Sequence, residues 1–181
     1  MLNTERLILR PWRDSDAASL YHYAKDERVG PIAGWPTHRS EAESLEIIQT
    51  IFSGEEIYAV ALNTDDVAIG MIGLLKGKNS NFPLPETEAE VAYWIGVPFW
   101  GQGLIPEALR TIMQHSFQTL QLDALWCGYF ADNEQSFKAQ AKCGFLHHHT
   151  EENQFNPFMN DYRTEHISRI TKEEWLQQQQ A

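Results

Sequence analysis

The sequence predicts one α/β domain built on a mixed sheet of about seven strands. Short β-compatible runs alternate with amphipathic helical stretches along all 181 residues. Between residues 90 and 108 a strand passes through a two-glycine loop straight into a helix. No internal repeat or linker divides the chain, and its length suits one domain with a real core.

From the N-terminus, residues 5–10 read as a strand, and a helix capped by Asp14 or Ser15 runs to about Lys25. A loop holding Gly30, Pro31, Gly34, Trp35 and Pro36 leads to a second helix at Ser40, where Ser40 and Glu43 form a capping box. Strands 57–62 and 67–75 flank Asn63-Thr64-Asp65-Asp66, a hairpin signal. Residues 76–87 hold Gly77, Pro83 and Pro85 and read as a long loop. After strand 91–97, Ile105, Ala108, Leu109, Ile112, Met113, Ser116, Phe117 and Leu120 draw one apolar or small stripe at three- and four-residue steps. Pro106 is tolerated in the first turn of that helix. Strand 124–130, a helix over 134–143 and Gly144, suited to a left-handed helix end, come next. Strands 145–149 and 163–170 enclose a loop at 151–161. Thr171 and Glu174 cap a short terminal helix whose 177–180 end is expected to fray.

Composition narrows the function classes. A net charge of −11 argues against broad nucleic-acid binding and suits a cationic partner. The longest apolar runs, near 57–62 and 68–75, fall short of the roughly 20 residues a membrane span needs, and no signal-peptide pattern opens the chain. Cys127 and Cys143 form no metal or redox spacing, so a reduced cytoplasmic setting is expected.

Chemistry concentrates at 90–108. Gly101 and Gly103 leave backbone N–H groups uncovered at a helix N-terminus, whose partial positive charge of roughly half a unit points at the same place. Such a nest suits the phosphates of a nucleotide-like ligand.

Residues 4–11 (Thr-Glu-Arg-Leu-Ile-Leu-Arg-Pro), 89–94 (Ala-Glu-Val-Ala-Tyr-Trp) and 100–103 (Trp-Gly-Gln-Gly) occur here in a fixed order. Asn133 with Ser136, Cys143-Gly144-Phe145, and 171–175 (Thr-Lys-Glu-Glu-Trp) complete it. This order resembles the GNAT superfamily of acetyl-coenzyme-A-dependent N-acetyltransferases, closest to the branch acting on the N-terminal alanine or serine of ribosomal proteins. The resemblance spans nearly the whole chain. It implies a mostly antiparallel sheet, splayed at the cofactor site and flanked by helices on both faces. It divides the domain into an acceptor-side part (1–88), a cofactor-binding core (89–145) and C-terminal strands with a short helix (146–181).

The resemblance also implies roles. Backbone groups around Ile95, Gly96 and Val97 would pair with the pantetheine arm. Trp100, Gly101, Gln102, Gly103, Leu104 and Ile105 would surround the pyrophosphate, Asn133 would contact the arm, and Ser136 would lie near the sulfur as general acid. Without the resemblance, Asn133 and Ser136 are a loop residue and a helix-start residue. Ile105 and Pro106 depart from the family pattern, which usually places glycine or alanine at the first and keeps an N–H at the second. Ile105 belongs to the apolar stripe, so its side chain is expected to point inward. Coenzyme A is anionic, so with this net charge its binding must come from local donors and burial; repulsion beyond roughly 8 Å is screened.

Attack on a thioester needs a neutral amine and a proton for the departing thiolate. Glu90 is the candidate base, with Glu88 second on the same strand face; the plain alternative is a solvated carboxylate. A lysine amine, at roughly 10.4, is harder to neutralise than an α-amine at roughly 7.7–8.0, while an ordinary glutamate, at about 4.3, is a poor base for either. A protein N-terminal α-amine or a small-molecule amine is therefore the expected acceptor. Trp35, Phe82 and Phe155, in loops, and Tyr93 are candidate pocket walls. His147, His149 and His166 read as a solvated or paired cluster, since this reaction needs no metal. Cys127 reads as a packed strand residue. A monomer or homodimer is expected. Two readings result: an enzyme, favoured by Glu90, Asn133 and Ser136 together, or a catalytically weak acyl-coenzyme-A-binding sensor or interaction module, towards which Ile105 is the hint.

Overall fold

Residues 57–62 and 68–75 are apolar at nearly every position because helices cover both faces of these strands. The computed structural model describes residues 1–180; Ala181, the last residue of the expected C-terminal part, lies outside the described residues. The strands are β1 Leu2–Asn3, β2 Leu7–Pro11, β3 Ile57–Leu62, β4 Ala68–Leu75, β5 Glu88–Ile95, β6 Ala124–Phe130, β7 Leu146–Asn156 and β8 Asp161–Thr171. They form one open eight-stranded sheet in the order β1-β2-β3-β4-β5-β6-β8-β7. Every neighbouring pair is antiparallel except β5 with β6.

That parallel pair is joined only from Glu88↔Ala124 to Glu90↔Trp126. Beyond it the strands part. β5 continues on β4 as far as Ile95, and β6 continues on β8 as far as Phe130, so an opening divides the sheet.

Helix α4 (Leu104–Gln114) packs its stripe on one face of the sheet, with Ala108, Leu109 and Ile112 completely buried. Helix α5 (Glu134–Lys142) and helix α6 (Lys172–Gln180) lie on this side too, Ala139 and Trp175 joining the α4 core. Helices α1 (Ala17–Ala24) and α3 (Glu41–Gln49) cover the other face around Leu20, Ile48 and Trp94. Two of the expected caps form, whereas Asp14 and Ser15 lie inside a 3-10 turn that precedes α1, and Asp16 accepts from the Arg13 N–H instead. Ser40 Oγ accepts from Glu43 N–H at 3.1 Å, and Thr171 and Glu174 bond reciprocally.

Five local expectations need correction. A two-residue β1 precedes the first expected strand, raising the count to eight. The loop at 30–36 contains a one-turn helix, α2 (Gly30–Ala33). The α4 stripe ends in a wider π turn at His115–Thr119. Residues 151–156, expected as loop, extend β7, and 161–162 begin β8. Thr150 to Asn156 is polar on both faces except at Phe155, so no alternation marks it; pairing with β8 makes it a strand at the sheet's edge. Likewise α6 continues to Gln180 rather than fraying from 177, Gln178 donating to the Gly144 carbonyl at 3.2 Å.

Arg10 ties β2, the turn before α1 and the β3–β4 turn together. Only 2 % exposed, it donates to both oxygens of Asp16 (2.8 and 2.9 Å) and to Asp66 in the β3–β4 turn (2.6 Å). Removing one partner of a buried pair leaves a charge uncompensated, at a cost of about 3–5 kcal/mol. Because Asp66 remains, Asp16→Ala is expected to lose about 3 kcal/mol, read from urea unfolding midpoints. A loss under about 1 kcal/mol would show that Arg10 is not held as described.

Candidate active site

Gly101 and Gly103 both take left-handed backbone angles (φ 72° and 75°), which carry the chain from the end of β5 onto the start of α4. The first intrahelical bond of α4 is Glu107 N–H to the Gly103 carbonyl. The amides of Gly103, Leu104 and Ile105 therefore have no helical partner and point out of the helix N-terminus. Ile105 is buried in the core as its stripe position implies, and Pro106 removes only an N–H without a helical partner. The loop is braced from the N-terminal strand, which sequence reasoning missed. Arg6 Nη1 donates to the Gln102 carbonyl at 3.0 Å, and Arg6 Nε to Glu107 at 2.7 Å, while Thr4 Oγ1 also bonds Glu107. Against the cost of partial burial, these bonds hold the Glu107 carboxyl below its usual range.

A cleft of about 350 Å³ runs from this loop into the opening between β5 and β6. Tyr93, Ile95, Trp100, Gly101, Gly103, Leu104, Ile105, Asn133 and Ser136 line it, with Lys138 and Lys142 on its α5 side. Asn133 caps α5, its side chain accepting from Ser136 N–H at 3.2 Å. Ser136 Oγ lies 2.8 Å from the Tyr93 hydroxyl and accepts from Gln140 Nε2 at 3.2 Å. Gln140, 1 % exposed, reaches the Gly128 carbonyl with the same nitrogen. Either hydroxyl of the Tyr93–Ser136 pair can donate to the other; when the phenol donates, the Ser136 hydrogen is free to turn towards the cleft. Burial pushes the Tyr93 phenol well up, which keeps it protonated.

Some expected residues are not brought to the cleft. Gly96 N–H is taken by the Ile69 carbonyl, and a Cβ there would lie 2.6 Å from Tyr23. Val97 packs in the α1–α3 core, and Gln102 turns its amide to the Pro98 carbonyl at 2.9 Å. The Ile95 carbonyl accepts Trp100 Nε1 at 2.9 Å. Strand alternation then leaves the backbone groups of Tyr93 and the N–H of Ile95 facing the opening. Trp35 packs on Trp94, with ring centroids 5.6 Å apart. Phe155 is half exposed on β7 and pairs with Tyr162, away from the cleft lining. Tyr93, expected as a pocket wall, belongs to the Ser136 cluster.

Glu90 projects from the opposite face of β5 to Tyr93, three residues on. It is 4 % exposed and accepts from Ser80 Oγ (2.9 Å), Asn81 N–H (2.6 Å) and Asn81 Nδ2 (2.8 Å). Burial pushes its carboxyl up, opposed by those three bonds. Glu88, the second candidate, is engaged by Trp126 Nε1 and by Arg169 at 3.2 Å. Phe82, in the loop that Glu90 holds, sits beside Gly128 of β6. Cys127 is buried, its Sγ donating to the Val91 carbonyl, and burial pushes its thiol well up. Among the described residues no three His, Cys, Asp or Glu side chains are grouped to hold a metal.

The family profile described as "Acetyltransferase (GNAT) domain" matches residues 6–146. The chain belongs to the GNAT acetyltransferase family. It is therefore an acyltransferase, and acetyl-coenzyme A is the co-substrate that goes with the fold. An uncharacterized N-acetyltransferase, YoaA of Bacillus subtilis, is 26 % identical over 150 residues, covering 80 % of this chain and 82 % of its own. The ribosomal-protein-serine acetyltransferase of Escherichia coli is 29 % identical over 116 residues, 62 % of each chain. The structure of Mycobacterium smegmatis RimJ in complex with CoA-disulfide shares the fold, with a TM-score of 0.71 at 19 % identity over 94 % of this chain and 88 % of that one.

The loop fits an anionic ligand. A Cβ on Gly101 would meet nothing within 4 Å, and one on Gly103 only Arg6 Nη2 at 3.8 Å. A side chain at Gly103 is strained by the left-handed backbone and would stand in the open space in front of the free amides. Gly103→Val, β-branched at a positive φ, is expected to weaken coenzyme A binding at least tenfold by calorimetry. Unchanged affinity would show that the loop does not hold the ligand.

Proposed function

We propose that the protein transfers an acetyl group from acetyl-coenzyme A to a primary amine by direct attack in a ternary complex. The observation that carries this reading is that the sheet is open between two chemically different sides. Ser136, Tyr93 and Gln140 lie on the α4–α5 side beside the amide nest, while the carboxylate of Glu90 lies on the α1–α3 side.

The bound thioester supplies a carbonyl carbon that gains a C–N bond as its C–S bond breaks. The free amides of Gly103 to Ile105 and the brace from Arg6 hold the phosphates. Tyr93 and Ile95 backbone groups pair with the arm that crosses the opening. Ser136 passes its hydrogen to the departing sulfur and recovers one from the proton that the nitrogen sheds as the amide forms, while Tyr93 and Gln140 keep it oriented. On the other side, the negative field around Glu90 attracts the acceptor as an ammonium and favours loss of its proton to a base on that face, directly or through water. A protein N-terminal α-amine is the favoured acceptor, since it gives up its proton more readily than lysine by roughly 3.4 kcal/mol. The acidic surface and the ribosomal-protein relative support a cationic protein substrate met in a reducing cytoplasm, where Cys127 and Cys143 stay free. Burial of Ile105 in the core removes the sequence hint towards a binding module without catalysis.

Thiol release from acetyl-coenzyme A across a panel of small amines, free-N-terminus peptides and N-terminally blocked lysine peptides tests the reading. Intersecting initial-velocity lines and a preference for free N-termini are expected; no release with any amine would overturn it. Ser136→Ala is expected to lower kcat by ~10²–10⁴ with little change in coenzyme A affinity. A wild-type kcat in that variant would reduce Ser136 to a helix-start residue.

A further inference from the structure

Glu90 is poorly placed to take a proton itself, because three donors from Ser80 and Asn81 already occupy its carboxylate. A second carboxylate stands free nearby. Glu165 on β8 lies directly across from Phe130 of β6 and projects from the same face as Gly128. Its Oε1 would be 2.2 Å from a Cβ built on Gly128, and the Phe82 ring 3.2 Å from the same point. Glycine at 128 thus leaves a seat that the Glu165 carboxylate fills, beside the loop Glu90 holds. Only partly exposed, Glu165 accepts no hydrogen bond and joins no ion pair among the described residues.

Its nearest charged neighbours are carboxylates, one of which, Glu151, lies 3.5 Å from His149 Nε2. Glu90 of β5 and Glu151 of β7, the residue opposite in the register, both repel it, and the neutral Cys127 thiol lies close on β6. Arg163, the nearest cation on its own strand, is committed to Asp161, to the Pro31 carbonyl and to the Phe130 ring. Arg169 is paired with Glu88. A carboxylate kept partly buried and unpaired stores a demand for a cation.

The geometry points to Glu165 as the group that takes the proton of the incoming ammonium, with Glu90 as the fixed charge that tunes it. This rests on the acetyl-transfer reading above. In the step, one N–H bond of the ammonium breaks, its electron pair stays on nitrogen, and an O–H bond forms on Glu165; the proton then passes to water. Burial, with the charges of Glu90 and Glu151, pushes the Glu165 carboxyl up to about 7. That value lies within about one unit of an α-amine, the match general-base catalysis favours. A folded-state value raised above the unfolded one also means that ionising Glu165 opposes folding. The stabilising contribution of its protonated form is present below about 4.5 and lost as pH rises through about 7.

Profiles of kcat against pH at saturating acceptor, for wild type, Glu165→Gln and Glu90→Gln, test the assignment. The wild-type acidic limb is expected near pH 7, to vanish in Glu165→Gln with a rate lower by ~10²–10⁴, and to survive in Glu90→Gln but move to lower pH. Gly128→Ala, whose new Cβ displaces the Glu165 carboxylate and presses lightly on the Phe82 ring, is expected to fold with small shifts of both side chains and to resemble Glu165→Gln. A limb that persists in Glu165→Gln and disappears in Glu90→Gln would return the base to Glu90 and overturn this inference alone. A wild-type enzyme that acetylates no amine would overturn the acetyl-transfer reading and this inference with it. Carbon-13 NMR of glutamate-labelled protein reads the pair without turnover. Glu165 is expected to titrate near pH 7 and lower in Glu90→Gln, and titration in the ordinary carboxylate range would overturn the inference. Thermal melts give a further check, since Glu165→Gln is expected to raise Tm near pH 8.5 and leave it unchanged near pH 4.

Discussion

Everything at the site depends on where β5 and β6 stop pairing. Three residue pairs hold them parallel, and beyond Glu90 and Trp126 each strand keeps its other partner and leaves its neighbour. Backbone groups on the parted edges must find partners, since a buried unpaired amide or carbonyl is costly. The protein meets part of that demand itself: Cys127 Sγ serves the Val91 carbonyl and Trp100 Nε1 the Ile95 carbonyl. The groups of Tyr93 between them are left for a ligand with its own amides. The same parting makes a passage between the two faces of the sheet, and α4 begins at its mouth with unpaired N–H groups.

The two faces differ in electrostatics in a way the net charge does not reveal. With −11 overall, the chain attracts cations at long range and repels anions. Local donors for an anion are found at the amide nest, where Arg6 is held by Glu107, and on the Lys138 and Lys142 side of the cleft. Across the sheet, Glu90 and Glu165 face the same region, and the charge of Glu90 disfavours ionisation of Glu165. In the proposed reaction this arrangement separates the phosphates from the ammonium by one layer of backbone. Ser136 and its partners stand at the boundary, where proton delivery to sulfur is required in the proposed reaction.

Legibility in the sequence followed the physical period of each element. Helix α4 was plain because its stripe runs without interruption from Ile105 to Phe117, and the two-glycine loop because left-handed angles need glycine at both positions. Glu90, Asn133 and Ser136 stood out through the family resemblance, and Asn133 and Ser136 do line the cleft. The far half of β7 was hidden because an edge strand with both faces in water has no reason to alternate. Glu165 was missed for a similar reason: its setting comes from Gly128, Glu151 and Glu90, on three other strands, and no local pattern joins them. The Arg6–Glu107 brace, with partners 101 positions apart, carries no local signal either.

The most direct measurement is a crystal structure with coenzyme A bound. The account predicts pyrophosphate oxygens on the amides of Gly101 to Ile105, the pantetheine arm crossing between β5 and β6 against Tyr93, and the sulfur within about 3.5 Å of Ser136 Oγ. Coenzyme A seated elsewhere, or a sulfur on the side of the sheet that carries Glu90, would contradict it.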